Sequence, residues 1–390
     1  MRKTVAFIIS GSTFLSALTA GLHAEVTLDW VTVGDLANTP DDTGRGSVDY
    51  VYKIAKYEVT NGQYTEFLNS VADTDTYGLY NTEMASGYAG TGGITRSGSP
   101  GSYTYSARAG YENFPVNYVS YYDSLRFANW LNNGQTSGSQ DSSTTEDGAY
   151  TFMGATTVSG RNLGAKVFLP NENEWHKAAF YKGGSTNAGY WTYATQSNTL
   201  PNNNPPSADT GNSANYYNDG WAVGSPYLTD VGAYTLSESA YGTFDQNGNM
   251  WEWNERVGDQ SPAHRGASWV SQSGRLPRDY YSQSDPDSEV YSNGIRLASL
   301  PEPLLGDLDG DGFVGINDLN IVLGAWNQSV LQGESLLGDP SGDGFVGIDD
   351  LNAVLGNWNA GTPPGGSAVP EPGAVVILTA GMGLMLRRVA

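Results

Sequence analysis

Oxygen donors at regular spacing are the most chemically suggestive feature of this sequence. Leu304 to Gln328, LLGDLDGDGFVGINDLNIVLGAWNQ, recurs 32 residues later as Leu336 to Ala360, LLGDPSGDGFVGIDDLNAVLGNWNA, with 19 of 25 positions identical. Each copy sets oxygen donors at loop positions 1, 3 and 5, a glycine at 6 and an aspartate at 12. These are Asp307, Asp309, Asp311, Gly312 and Asp318, then Asp339, Ser341, Asp343, Gly344 and Asp350. Hard oxygens folded around a glycine that can take the sharp turn are what a Ca²⁺ loop requires, with position 7 (Phe313, Phe345) lending its backbone carbonyl. Apolar residues at i, i+3, i+4 and i+7 then predict a helix after each loop, through Leu319, Val322, Leu323 and Trp326, and through Leu351, Val354, Leu355 and Trp358. Residues 301–360 carry 10 acidic residues and no Lys or Arg.

A second candidate is FDQNGNMWEWNE, Phe244 to Glu255, where Glu252 stands between Trp251 and Trp253 after a loop dense in Asn, Gly and Asp. The residues alone leave several roles open: a catalytic carboxylate, a sugar-binding group beside aromatic rings, or a structural group. In the structural case Asp245 and Asn247 satisfy the backbone of their own turn, and Glu252 pairs with an arginine such as Arg265 or Arg296. Other chemistry is scarce. The chain has no cysteine, which excludes thiol catalysis and disulfides alike. Of three histidines, His23 lies in a leader, leaving His176 and His264. Two histidines and a carboxylate could hold iron, but His176 sits beside Lys177 on an amphipathic segment and is expected to face solvent. No Ser-His-Asp order emerges.

The elements that must position these groups announce themselves by their caps. Thr60 precedes Gln63 by three residues, Ser120 precedes Asp123 and Asn171 precedes Glu174, three capping boxes that each predict a helix start. The faces that follow are Tyr64, Phe67, Leu68 and Val71; Phe127, Ala128 and Leu131; and Trp175, Ala178 and Ala179. Alternation predicts short strands in YVYKIAKYEVT, KVFLP and HRGASWV. Residues 72–113, 132–163 and 183–225 are rich in Gly, Ser, Thr, Asn and Tyr without periodicity and are expected to be loops. The fold class is α+β with unusually high loop content, followed by a small α-helical calcium module.

Composition sets further limits. Of 390 residues 15% are charged, and the net charge is −22, which argues against nucleic acid or an anionic membrane as partner. Residues 1–24 have Arg2 and Lys3, an apolar run and then small residues, the pattern of a secretory signal peptide. The mature chain is then two charges more negative. At the other end GTPPGGSA (361–368) is a linker by composition. It leads into VPEPGAVVILTAGMGLMLRRVA (369–390), whose apolar run is shorter than the roughly 20 residues a membrane span needs.

Three resemblances follow from these motifs. The duplicated 301–360 unit resembles the dockerin type I module, which implies calcium binding and a cohesin-like partner; the apolar Ile316 and Ile348 at loop position 10 depart from the polar residues family dockerins use there. Pro370-Glu371-Pro372, the apolar run and Arg387-Arg388 resemble a PEP-CTERM sorting signal. That resemblance implies an exported protein of a Gram-negative cell envelope, in transient contact with the membrane and processed by an exosortase. Finally, YKIAKYEVTNGQYTEFLN, FPVNYVSYYDSLRFANWLN, KVFLPNENEWHKAAF, YGTFDQNGNMWEWNE, HRGASWV and SNGIRLAS resemble, in order and spacing, the formylglycine-generating or sulfatase-modifying-factor family across 25–300. A variant C-type lectin fold is implied. Activity is not carried over so simply, because the sulfatase-activating members use two copper-binding cysteines and the ergothioneine-type members a His-x-x-x-His-x-Glu run, neither present here. Calcium-bound members imply a ligand set of Asp245, the carbonyls of Gly248 and Met250, and Glu252, with Asn215 and the Tyr216 carbonyl opening a second site. The reading that results is an exported, calcium-stabilised, non-catalytic module binding protein or glycan. A metal-dependent oxidoreductase of the same class is the alternative, and a component of polysaccharide degradation a further one.

Overall fold

The computed structural model describes residues 24–255, 262–301, 304–330 and 338–361. Residues 1–23 of the leader, the sorting tail and the linker from 362 onward lie outside the described residues. Among the described residues no helix is long and apolar enough to cross a membrane.

All three capping boxes form as the sequence predicts. Helix α1 is Asn61–Val71, capped by Thr60 and Gln63; α2 is Tyr121–Asn132, capped by Ser120 and Asp123; α3 is Glu172–Phe180, capped by Asn171 and Glu174. In each the cap side chain accepts from the third backbone N–H while the third side chain accepts from the cap's own N–H, so two otherwise orphaned donors are satisfied. The apolar faces of α1 and α2 meet: Phe67 lies 5.3 Å from both Phe127 and Trp130, and Tyr64 lies 5.3 Å from Phe67. Deleting a ring from such a fully buried cluster costs about 3–5 kcal/mol.

Strands are short and serve as anchors for loops. One sheet has the order β1-β2-β10-β5 (Trp30–Val33, Tyr52–Ala55, Ala298–Ser299, Val167–Phe168), so the two ends of the large domain pair with each other. A second has the order β8-β7-β6-β9 (Ser282–Gln283, Ala263–Arg265, Trp251–Trp253, Asn293–Gly294), with β6 and β9 parallel. A separate hairpin, β3 (Ile94–Ser97) with β4 (Thr104–Ala107), crosses a stretch expected to be loop. Its outward residues are polar on both strands and only Ile94 and Tyr105 are buried, which leaves too little apolar alternation to read from sequence. The expected α+β class with extensive loops holds.

After each aspartate-rich loop of the repeat a helix forms, α4 (Ile316–Gly324) and α5 (Ile348–Gly356), and the two pack on each other. The helices end at Gly324 and Gly356, short of Trp326 and Trp358, and the expected apolar stripe divides between interior and surface. Val322 and Val354 are buried, whereas Leu323, Trp326, Leu355 and Trp358 are exposed. A unit this small encloses few apolar side chains, here Leu308, Val314, Val322, Val346 and Val354.

Candidate functional site

Parallel pairing of β6 with β9 sets Glu252 opposite Gly294, and two residues further on the chain delivers Arg296 to the same carboxylate. Arg296 donates from Nε to Glu252 Oε2 at 2.7 Å and from Nη2 to Oε1 at 2.7 Å; both side chains are wholly buried. Trp175 of α3 adds a third donor, Nε1 to Oε2 at 2.5 Å. Arg296 also donates to the carbonyls of Ala55 (2.8 Å) and Phe244 (2.7 Å), tying β2 and the loop before β6 to one guanidinium. Burial works against the Arg296 charge, but Glu252 outweighs it and holds the guanidinium protonated. Of the roles open to Glu252, the structure displays the arginine pair, and the partner is Arg296. Arg265 is instead engaged by Glu172.

The loop between Phe244 and Met250 is locked from several sides. Asn249 takes φ +57° and Gly248 φ +89°; a Cβ on Gly248 would stand 2.2 Å from the Asn215 carbonyl, so only glycine allows this approach. Asn249 Nδ2 donates to Glu58 Oε2 at 2.9 Å, and the Met250 N–H donates to Glu58 Oε1 at 3.0 Å. Asn215 Nδ2 donates to Asn249 Oδ1 (3.2 Å) and to the Tyr227 carbonyl (2.9 Å). Neighbouring Tyr216 is buried, with its hydroxyl on the Pro201 carbonyl at 2.6 Å. Asp245, at φ +62°, accepts from the Gly232 N–H at 2.6 Å.

Three carboxylates, those of Glu58, Asp245 and Glu252, thus share this interior with one arginine. Burial, and then the charges of Asp245 and Glu252, push Glu58 well above the ordinary range; burial lifts Asp245 to about 6. Of the implied calcium set, Asp245 has the character of a cation ligand, being acidic, buried and short of donors. Glu252 does not, because Arg296 compensates its charge and donates to both of its oxygens, with Trp175 adding a further donor to Oε2.

The histidine expectation fails in an informative way. His176 is fully buried, with Nε2 2.9 Å from Asp41 Oδ2, because residues 34–48 fold back over α3. Lys177 is buried by the same segment, its ammonium donating to the carbonyls of Asp35 (3.0 Å) and Val48 (3.3 Å), and burial lowers it to about 8. His264 lies between Trp251 and Trp253, ring centroids 5.1 Å from each, with Nε2 2.7 Å from Ser284 Oγ. Burial lowers both histidines to about 4, so they are neutral near pH 7.

Carboxylate convergence occurs in the repeats. Oxygens of Asp307, Asp309 and Asp311 lie within 4.8 Å of one another, as do those of Asp339, Asp343 and Asp350, and these are the two such clusters among the described residues. Backbone N–H groups shape each loop around its first aspartate: Gly310 and Gly312 donate to Asp307, and Gly342, Asp343 and Gly344 to Asp339. The twelfth residue closes the ring. Asp318 accepts from Leu308, Asp309 and Gly315, and Asp350 accepts from Ser341 and Gly347. Phe313 and Phe345 sit where a seventh-position carbonyl is needed, fixed by pairing with Gly361 and Ser329. Burial and the adjacent Asp309, Asp307 and Asp318 lift Asp311 to about 6, the mark of acids crowded without a countercharge. The donor set fits a hard divalent cation.

One group of side chains escaped the sequence reading altogether. Trp269 is buried beneath Tyr227, Trp221, Tyr291 and Tyr88, which arrive from three other segments. The available signal was Trp221, a large ring set in a loop of Gly, Asn and Ser where no core position is expected.

The sequence profile of the Sulfatase-modifying factor enzyme 1-like domain matches residues 34–300. No curated protein matches the chain. Similar solved structures include CarF, 20% identical, TM-score 0.44, with 71% of this chain and 99% of that one covered. Treponema denticola variable protein 1 is 17% identical, TM-score 0.44, covering 72% and 97%. PvdO from Pseudomonas aeruginosa is 19% identical, TM-score 0.36, covering 70% and 92%.

Proposed function

Given that the chain belongs to the sulfatase-modifying factor enzyme 1-like domain family, with its α+β, C-type lectin-like fold, we propose that it is an exported, non-catalytic binding protein carrying a calcium module. The observation that carries this reading is the absence of cysteine from all 390 residues, which removes the copper ligands of the sulfatase-activating chemistry. The two histidines left in the mature chain are buried and neutral, each with Nε2 on a protein partner. The acid at the heart of the family signature, Glu252, is likewise spent on Arg296. What remains is a rigid scaffold under long loops of Tyr, Ser, Gly and Asn, the composition of adaptable binding surfaces.

In this proposal the organisation runs from a signal peptide (1–24) through the binding domain (25–300), the dockerin-like repeats (301–360) and the linker (361–368) to the sorting signal (369–390). The repeats bind Ca²⁺ through Asp307, Asp309, Asp311 and Asp318, and through Asp339, Ser341, Asp343 and Asp350, with the Phe313 and Phe345 carbonyls. They offer a cohesin-like partner a surface of Leu323, Trp326, Leu355 and Trp358. Calorimetric titration of the chelator-treated full chain with CaCl₂ tests the module. Two binding events are expected, one lost in Asp307→Ala and the other in Asp339→Ala, while absence of calcium binding, or binding that both variants retain, overturns it.

A further inference from the structure

We propose that the aromatic cluster of Tyr88, Tyr217, Trp221, Tyr227, Trp269 and Tyr291 is the ligand-binding face of the large domain, and that its ligand is a neutral polysaccharide. This rests on the non-catalytic reading and adds to it a place and a chemical class. Trp269 forms the floor, fully buried. Tyr227 stacks on it at 5.6 Å with the rings 8° from parallel, Trp221 stands 5.3 Å away on one side, and Tyr291 and Tyr88 stand 5.8 and 6.3 Å away. Tyr217 lies 4.7 Å from Trp221. The rings nearest solvent are Trp221, 42% exposed, and Tyr88, 56% exposed.

The platform is rigid before any ligand arrives. The Trp269 N–H donates to the Asn249 carbonyl at 2.9 Å, so the loop that Glu58 locks also fixes the floor. The Tyr88 N–H donates to the Tyr118 hydroxyl at 2.5 Å. Ser225 Oγ donates to the Ala89 carbonyl at 3.2 Å, joining the two loops that carry the exposed rings. The Tyr217 N–H donates to the Ser271 carbonyl at 3.0 Å. Two large rings left half open on a fixed base forgo hydrophobic stabilisation that folding would otherwise gain, while a preorganised surface loses little entropy on binding.

The edge of the platform selects the ligand. A pyranose lays its C–H face on an aromatic ring and directs its hydroxyls sideways, toward hydrogen-bond donors and acceptors. Asn218, Asp219, Ser225 and Gln272 are exposed along this edge, between or beside the ring-bearing residues. The segments that carry the rings, 86–91, 217–227, 269–272 and 289–293, contain no Lys or Arg, and the chain carries −22. Nucleic acids and acidic glycans, which need cationic partners, are therefore disfavoured. A protein partner fits less well, because protein interfaces centre on a contiguous apolar core, and the other exposed residues of the ring-bearing segments are Ser86, Asn218, Asp219, Gly224, Ser225 and Gln272, with Val290 the one aliphatic side chain among them.

The test is affinity electrophoresis and pull-down of the full chain on neutral polysaccharides (cellulose, xylan, galactomannan, β-1,3-glucan), with alginate as the anionic control. At least one neutral polysaccharide is expected to retard the wild type and alginate not to. Trp221→Ala and Tyr88→Ala should each weaken binding at least tenfold and together abolish it. Because both rings are exposed, the variants should melt within a few degrees of the wild type, and Trp221→Phe should keep part of the affinity. Binding to none of the neutral glycans, stronger binding to alginate, or binding that survives the double substitution overturns the proposal. A protein partner whose binding requires Trp221, with no glycan bound, also overturns it in favour of a protein-docking face. These results leave the non-catalytic reading standing, since that reading fails on metal content and not on glycan binding.

Discussion

Replacing Glu252 by alanine separates two accounts of the family's Trp-Glu-Trp signature. In the structure Glu252 and Arg296 are both fully buried and joined by two charge-assisted hydrogen bonds of 2.7 Å, with Trp175 adding a third to the carboxylate. Glu252→Ala leaves the guanidinium buried on the Ala55 and Phe244 carbonyls without its hydrogen-bonded anion, and breaking a buried pair from one side costs about 3–5 kcal/mol. Glu252→Ala with Arg296→Met removes both charges, and its cost should fall well below the sum of the single losses, because neither partner is stranded. The assay is urea unfolding of the four proteins, each in excess calcium and in excess chelator, on an Asp307→Ala, Asp339→Ala background that silences the repeats. An ion-pair lock predicts the same Glu252→Ala penalty in both conditions. A penalty below about 1 kcal/mol, or one that vanishes in chelator, would refute the reasoning and restore Glu252 as a calcium ligand.

Further outcomes follow from the same geometry. Gly248→Ala forces a Cβ against the Asn215 carbonyl at a positive φ and should destabilise the large domain by more than about 1 kcal/mol, measured by thermal melting; an unchanged melting temperature contradicts the locked loop. His264 is held near 4 against an ordinary 6.5, so it contributes stability above pH 6.5 that is lost as pH falls toward 4. The advantage of wild type over His264→Phe should accordingly shrink across that window, by at most about 1.4 kcal/mol per pH unit; a constant difference, measured by urea unfolding at several pH values, would place His264 in contact with solvent. In calcium at a hundredfold its dissociation constant, each repeat loop should be stabilised by about 2.7 kcal/mol, and a chain whose repeat helicity is unmoved by chelation, followed by circular dichroism of wild type against Asp307→Ala, Asp339→Ala, would contradict calcium loading there.

Local signals were legible and long-range ones were not. The caps at Thr60, Ser120 and Asn171 act across three residues, so the starts of α1, α2 and α3 could be read directly. Both repeat loops were equally plain, since every donor lies within twelve residues of the first. Burial of His176 depends on Asp41, 135 residues away, and no pattern within α3 discloses that a loop returns to cover it. The partner of Glu252 was narrowed to two arginines, and the parallel register of β6 with β9 decided between them. The aromatic cluster gathers rings from four segments between residues 88 and 291, each unremarkable alone. Loops of Gly, Ser and Asn hide such assemblies because periodicity, the main signal of burial, is missing from them.

The central claim, a calcium-carrying binding protein on a scaffold that elsewhere supports oxidation, is tested most directly by metal content. The full chain, purified without chelators from cells supplied with calcium, iron and copper, would be measured by plasma mass spectrometry beside the Asp307→Ala, Asp339→Ala variant. Calcium that the variant loses, with iron and copper far below one equivalent in both, is the predicted result. Stoichiometric iron or copper, retained when the repeats are silenced, would contradict the account and return the large domain to the oxidases.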